Sequence, residues 1–233
     1  MRVESVLSCL LRIIVLNMSD RIEGFETKEI IGIILAGGQS RRFGDGDKFF
    51  RKLNGKSLID HVIERLQPQT DDLIINSNSD ANLFLEQGLS VVPDTIQGFA
   101  GPLAGILTGM EWVLRNKPQY EWIATFPSDA PFIPLNCVKE MQLCAKIENT
   151  DIVCTASGQR THPVCALWRI DLAADLRKVM INEGLRKIDL WTARHQLSII
   201  KFPDHPYDPF FNINRPDDMV LAEKIMKSNA LEP

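Results

Sequence analysis

From residue 30 onward, short apolar runs alternate with segments whose apolar residues recur at helical spacing. Residues 30–36 (IIGIILA) form a continuous apolar run that stops at Gly37-Gly38, the pattern of a strand buried on both faces. After it, Leu58, Val62 and Leu66 fall on one face at spacing four, with Ser57 placed to cap a helix. Further strands are predicted at 72–77 (DLIINS), 90–93 (SVVP), 121–126 (EWIATF), 151–156 (DIVCTA), 162–168 (HPVCALW) and 196–202 (QLSIIKF), and 210–214 (FFNIN) also reads as strand-like. Helices are predicted near 80–87, over 103–115, 135–147, most of 171–193, and 215–226. Such alternation means βαβ units, hence an α/β fold with a mainly parallel central sheet flanked by helices.

No repeat, low-complexity tract or long linker divides the 233 residues, so residues 29–233 are expected to form a single domain. Residues 1–28 are set apart as an N-terminal extension. Their apolar stretch, 5–16, is interrupted by Arg12, preceded by Glu4 and followed by no A-x-A-like cleavage site, which argues against a signal peptide. It is also too short to span a membrane. The polar stretch after Met18 makes Met18 the expected true start; an amphipathic N-terminal helix is the other reading.

Composition narrows the function. The net charge of −4 disfavours a generic partner among nucleic acids or anionic membranes. Its distribution is uneven. Residues 41–56 hold six basic side chains (Arg41, Arg42, Lys48, Arg51, Lys52, Lys56) against Asp45 and Asp47, a local +4, so the rest carries −8. A basic loop on an acidic body suits a small polyphosphate. Five cysteines with no C-x-x-C pair fit free thiols in a reducing cytoplasm. The four histidines lack partners at metal-ligand spacing and read as structural, and no G-x-S-x-G supports a nucleophilic hydrolase.

Four groups of residues could carry chemistry. LAGGQSRRFGDGDK (35–48) follows the first strand, where glycines let backbone N–H groups approach a phosphate and Arg41, Arg42 and Lys48 supply cations. It matches neither G-x-G-x-x-G nor the P-loop; the plain alternative is a solvated turn. PSDAP places Asp129 at the tip of a strand, where a carboxylate can serve Mg²⁺ together with substrate phosphates, or simply cap the next helix. Asn76, Asp94 and GFAGPLAG (98–105) follow other strands, at the positions where base and ribose would be read, though Asn and Asp are also common turn formers. Asn212 and Asn214 share a face if FFNIN is a strand, and are otherwise turn residues before Pro216.

Taken together, the motifs resemble the nucleotidyltransferases, and most closely the molybdenum cofactor guanylyltransferases (MobA family). The matching segments are the loop 35–48, LNGKSL (53–58), the Pro93-Asp94 and GPLAG segment (93–105), PSDAPFIP (127–134), HPVCAL (162–167) and NIN-x-P-D-D (212–218), in family order over about residues 30–226. Phe43, Ser57 and Ser128 depart from the residues usual there, and the loop 94–101 is longer. The resemblance implies a single-domain, Rossmann-like nucleotidyltransferase fold. It further implies that Leu35, Ala36, Gly37, Gly38 and Lys48 contact GTP, that Arg42 lies on the triphosphate, and that Asn76 and Asp94 meet the base or ribose. Asp129 would hold Mg²⁺ near the α-phosphate, and Asn212 and Asn214 would lie on the acceptor side.

The implied reaction is transfer of GMP from GTP to molybdopterin carrying molybdenum, with Lys48, Arg42 and Asp129 as the catalytic set. Its implied partners are GTP, molybdopterin and, transiently, molybdopterin-loading proteins and apo-molybdoenzymes. Two rival readings stay open: a cytidylyltransferase or sugar-phosphate nucleotidyltransferase of the same fold, and a catalytically silent nucleotide-binding adaptor.

Overall fold

The run IIGIIL becomes β1 (Ile30–Leu35), a strand with every residue buried. Its neighbours explain why. In the computed structural model, which describes residues 30–37, 48–96, 98 and 101–228, β1 lies inside a seven-stranded sheet of order β5-β4-β1-β6-β8-β7-β9. The other strands are β4 (Asp72–Asn76), β5 (Ser90–Val92), β6 (Trp122–Pro127), β7 (Ile152–Ser157), β8 (Arg160–Arg169) and β9 (Leu197–Phe202). β1 pairs in parallel with β4 and β6, and the register sets Leu35 beside both Asn76 and Pro127. The ends of three strands thus meet on one rim. Only β8 runs antiparallel, against β6 and β7. The mainly parallel α/β sheet expected from the alternation is the one observed.

Alternate residues of β1 serve opposite layers, as a strand's twofold side-chain period requires. Ile31 and Ile33 join Leu107, Met110, Trp168 and Trp191 on one face, beneath α2 (Pro102–Asn116), α4 (Ala173–Asn182) and α5 (Ile188–Thr192). Ile30 and Ile34 join Val62, Phe126 and Met141 on the other, beneath α1 (Leu58–Leu66) and α3 (Cys137–Glu148). Ser57 caps α1 as the spacing predicted, its Oγ accepting the Asp60 N–H at 3.2 Å. Among the described residues no helix is long and apolar enough to cross a membrane.

One element is added and one reading changes. A two-stranded hairpin, β2 (Lys52–Leu53) with β3 (Lys56–Ser57), turns through Asn54-Gly55, both at positive φ. The Asn-Gly pair is its sequence signal, since a primed turn needs two left-handed residues. FFNIN, expected to be strand-like, is not a strand. Its two buried side chains anchor in different places: Phe210 in the core under α3, and Ile213 in a small cluster with Leu53, Leu58, Phe132 and Ala222. The latter cluster packs against α6 (Pro216–Lys227), which closes the described chain. A segment whose side chains part in this way runs as a strap rather than pairing with a strand edge. The expectations for residues 1–28, Gly38, Arg41 and Arg42 fall outside the described residues.

Candidate active site

The backbone ladder continues one residue past the strands and builds the rim. The Ala36 N–H donates to the Asn76 carbonyl at 2.9 Å, the Ser77 N–H to Val92 at 3.1 Å, and the Ser128 N–H to Leu35 at 3.2 Å. Leu35 and Ala36 are buried by these neighbours and Gly37 emerges into the open. Lys48 opens a short 3₁₀ turn, Lys48–Phe50, where the chain re-enters the described region.

On the β4–β5 side Asn76 is almost fully buried and does not itself present a free amide. Its Nδ2 donates to the Val92 carbonyl at 3.1 Å and to Asp94 Oδ1 at 2.9 Å. Asn78 completes the grip, donating from Nδ2 to Asp94 Oδ2 at 2.8 Å and accepting the Asp94 N–H at 2.8 Å. Each carboxylate oxygen accepts one amide and keeps a further lone pair. The half-buried Asp94 is therefore held in a fixed orientation with acceptor capacity to spare.

Behind this grip stands Gly105 in the first turns of α2. A Cβ there would lie 2.3 Å from Asn76 Oδ1 and 2.8 Å from a Leu35 methyl, so only glycine lets the helix approach so closely. The residue after Asp94 is also tied down. The Thr95 N–H donates to Thr108 Oγ1 on α2 at 3.0 Å, and Arg177 Nη2 on α4 reaches Thr95 Oγ1 at 3.3 Å. Arg177 grips Glu111 bidentately at 2.5 and 2.8 Å. Burial pushes the Glu111 carboxyl up, but hydrogen bonds from Arg177 and Thr95 and the nearby guanidinium charges outweigh it and leave the pKa lowered.

On the β6 side Asp129 follows the strand by two residues and its side chain is half-buried. Its carbonyl accepts the Ile213 N–H at 3.0 Å, which draws the strap 208–214 onto the tip of β6. Asn212 and Asn214 flank that bond, half-buried and exposed respectively. Asp218 in the first turn of α6 holds the next step, its Oδ2 accepting the N–H groups of Asn214 and Arg215 at 2.7 and 2.8 Å. The pairing of Asn212 and Asn214 thus stands on the Ile213 anchor, not on strand alternation.

Among the described residues no three His, Cys, Asp or Glu side chains gather as a metal cluster. A cation at Asp129 would take that one carboxylate and complete its shell with phosphate oxygens and water, the donor set that suits Mg²⁺. None of the described cysteines forms a disulfide, and burial pushes the thiols of Cys137 and Cys165 well up and that of Cys154 to about 12.

The structure thus brings Leu35, Ala36, Gly37, Asn76, Asp94, Asp129, Asn212 and Asn214 to a single rim. Asn78, Thr95, Thr108, Glu111 and Arg177 are the supporting residues that sequence reasoning passed over. Asn78 had a signal, since it lies two residues beyond Asn76 in the same strand-end turn; the Arg177–Glu111 contact joins positions too distant in sequence to be read.

This mainly parallel sheet with one antiparallel strand is the fold of an NTP transferase domain. The structure of CMP:2-keto-3-deoxy-manno-octonic acid synthetase complexed with CTP superimposes with a TM-score of 0.65 at 12% identity, over 85% of this chain and 98% of that one. Within the class, the chain belongs to the MobA-like NTP transferase domain family, whose model matches residues 32–196. It is a nucleotidyltransferase. Molybdenum cofactor guanylyltransferases from Rhodopseudomonas palustris (strain BisB5) and Bradyrhizobium sp. (strain ORS 278) are each 43% identical, over 83% and 85% of this chain and 92% and 94% of their own lengths. The crystal structure of molybdopterin-guanine dinucleotide biosynthesis protein A from Archaeoglobus fulgidus shares the fold at a TM-score of 0.66 and 23% identity, over 85% of this chain and 99% of that one.

Proposed function

We propose that the protein transfers GMP from GTP to the phosphate of molybdenum-loaded molybdopterin, yielding the guanine dinucleotide cofactor and pyrophosphate. The observation that carries this reading is the convergence of three strand ends. Leu35-Ala36-Gly37, the Asn76–Asp94 grip, and Asp129 with its strap occupy one rim, and the relatives at 43% identity bear the guanylyltransferase name.

In the proposed reaction a terminal phosphate oxygen of the acceptor attacks the α-phosphorus of GTP in line. A new phosphorus–oxygen bond forms as the bond to the bridging oxygen breaks, and pyrophosphate leaves with that electron pair. The nucleophile is already ionised, so no general base is required. Catalysis is positioning and charge neutralisation. The backbone at 35–38 takes the phosphates, Lys48 and Arg42 offset their charge, and Asp94 accepts from guanine N1–H and N2–H₂. Asn76 contributes through Asp94. Asp129 would hold Mg²⁺, which when bound supplies further charge neutralisation at the phosphates. Asn212 and Asn214 face the acceptor, and the product would be handed on through transient contacts with the proteins that load and receive the cofactor.

The test is pyrophosphate release from GTP with Mg²⁺, measured with and without molybdenum-loaded molybdopterin, and repeated with CTP and ATP. Release is expected only with the acceptor present and with GTP preferred. Tight CTP binding with weak GTP binding, or no release under any combination, would overturn the reading.

A further inference from the structure

The strap 208–214 is pinned to β6 at one end, and its other end meets a polar cluster that the transfer reaction leaves unused. β8 runs antiparallel, so its first residues lie on the rim where β6 and β7 end, with His162 opposite Thr155. Ser157, the last residue of β7, sits between two partners. Its Oγ is 2.6 Å from His162 Nε2 and 2.7 Å from Asp208 Oδ1. Asp208 Oδ1 also accepts the Phe210 N–H at 2.9 Å. Phe210 in turn buries its ring 4.9 Å from the His162 ring and 5.4 Å from Phe202.

Proton counting fixes the direction of this chain. A carboxylate only accepts, so Ser157 spends its single proton on Asp208, and His162 must donate from Nε2 to Ser157 Oγ. Burial lowers the His162 pKa, Asp208 opposes that and Arg160 adds to it, a net shift that favours the neutral ring. Ser157 is not a nucleophile: it is 3% exposed and its proton points at a carboxylate. The cluster orders chain instead. It fixes Asp208, Asp208 turns the backbone at Phe210, and three residues later Ile213 is caught by the Asp129 carbonyl. Asn212 lies between the two anchors.

We infer that His162 is a positioning residue for the acceptor half of the site, acting through Ser157 and Asp208 to hold the strap that carries Asn212 and Asn214. Its kinetic consequence rests on the proposed transfer reaction; its structural consequence does not. Two substitutions separate the donor from mere bulk. His162→Phe keeps an aromatic side chain beside Phe210 and loses the N–H, whereas His162→Gln can place an amide N–H near the Nε2 position. Ser157→Ala breaks the same relay from its centre and serves if the Phe variant does not fold.

Amide hydrogen exchange and steady-state kinetics on the full chain make the test. In His162→Phe and Ser157→Ala, the Phe210 and Ile213 amides are expected to exchange about tenfold faster while the Ser77 amide on the opposite side of the rim is unchanged. KM for molybdenum-loaded molybdopterin should rise about tenfold with Kd for GTP within twofold, and His162→Gln should recover most of both effects. Unchanged exchange at Phe210 and Ile213 in the folded variants overturns the inference, as does exchange rising equally at Ser77, or a Gln variant as impaired as the Phe variant. If the wild-type chain releases no pyrophosphate, the transfer reading fails and the exchange data alone still decide the anchor.

Discussion

Asp94 is held by two amide donors, and that arrangement makes its charge hard to replace. An asparagine there offers one oxygen and one NH₂, so one of the two clamps from Asn76 and Asn78 would set donor against donor. Asp94→Asn should weaken GTP binding about 10–100-fold and erase the preference over ATP, the loss expected when a charged acceptor is removed from a partly buried network. Competitive nucleotide titration checks this; full retention of GTP preference would assign guanine recognition elsewhere. Gly105→Ala probes the same grip from behind. The added methyl meets Asn76 and Leu35, and overpacking of this kind costs about 1–3 kcal/mol, more than the helix gains from alanine. Thermal melting should show the loss and titration a weaker GTP affinity. Lys48→Ala should lower the rate of pyrophosphate release far more than it weakens GTP binding, because charge offset matters most as the leaving group departs. Near-normal turnover would remove Lys48 from the reaction. At this scale Asn76 and Asp94 were legible as strand-end polar residues, but their relation was not: only the folded register shows that the first holds the second.

Elements were legible where their side-chain period agreed with their burial. β1, α1 and β6 follow from runs and spacings. The hairpin β2–β3 was missed because two-residue strands carry no period, and FFNIN was misread because its buried anchors, Phe210 and Ile213, lie three residues apart in separate clusters, out of phase with the alternation that the sequence suggests. Contacts between helices leave no local trace at all. The Arg177–Glu111–Thr95 contact, which ties α4 to α2 and to the residue beside Asp94, is such a case. Arg177→Met should leave the largely buried Glu111 without its guanidinium and cost about 1–2 kcal/mol, the partial exposure of Arg177 discounting the pair. That corresponds to a fall in Tm of roughly 2–8 °C for a domain of this size. KM for GTP should rise with it, and an unchanged KM in the folded variant would show that Thr95 needs no such tether.

For the whole molecule, acid should remove stability in stages. The His162 pKa is lowered by burial, so the folded state resists the proton that the unfolded chain accepts near the ordinary histidine value of about 6.5. Stability from this group is present above that value and is lost as pH falls from it toward the lowered folded value. Glu111, also lowered, adds stability that is lost further down, below the ordinary carboxylate range. Glu140, pushed up chiefly by burial, acts in the opposite sense. Comparing melts of wild type and His162→Gln across pH isolates the first stage: the difference in their pH dependence should lie at and below about 6.5, and superimposable curves would deny His162 that share.

The order of the elements along the chain has a consequence in time. The last sheet strand ends at Phe202, so every strand beneath the rim bearing Leu35, Asn76 and Asp94 precedes the strap 208–214 and α6. Synthesis proceeds from the N-terminus. A nascent chain therefore passes through a stage in which all seven strands have been made and the segment that covers one end of their rim has not, and the proposed acceptor half is the last part of the site to be translated.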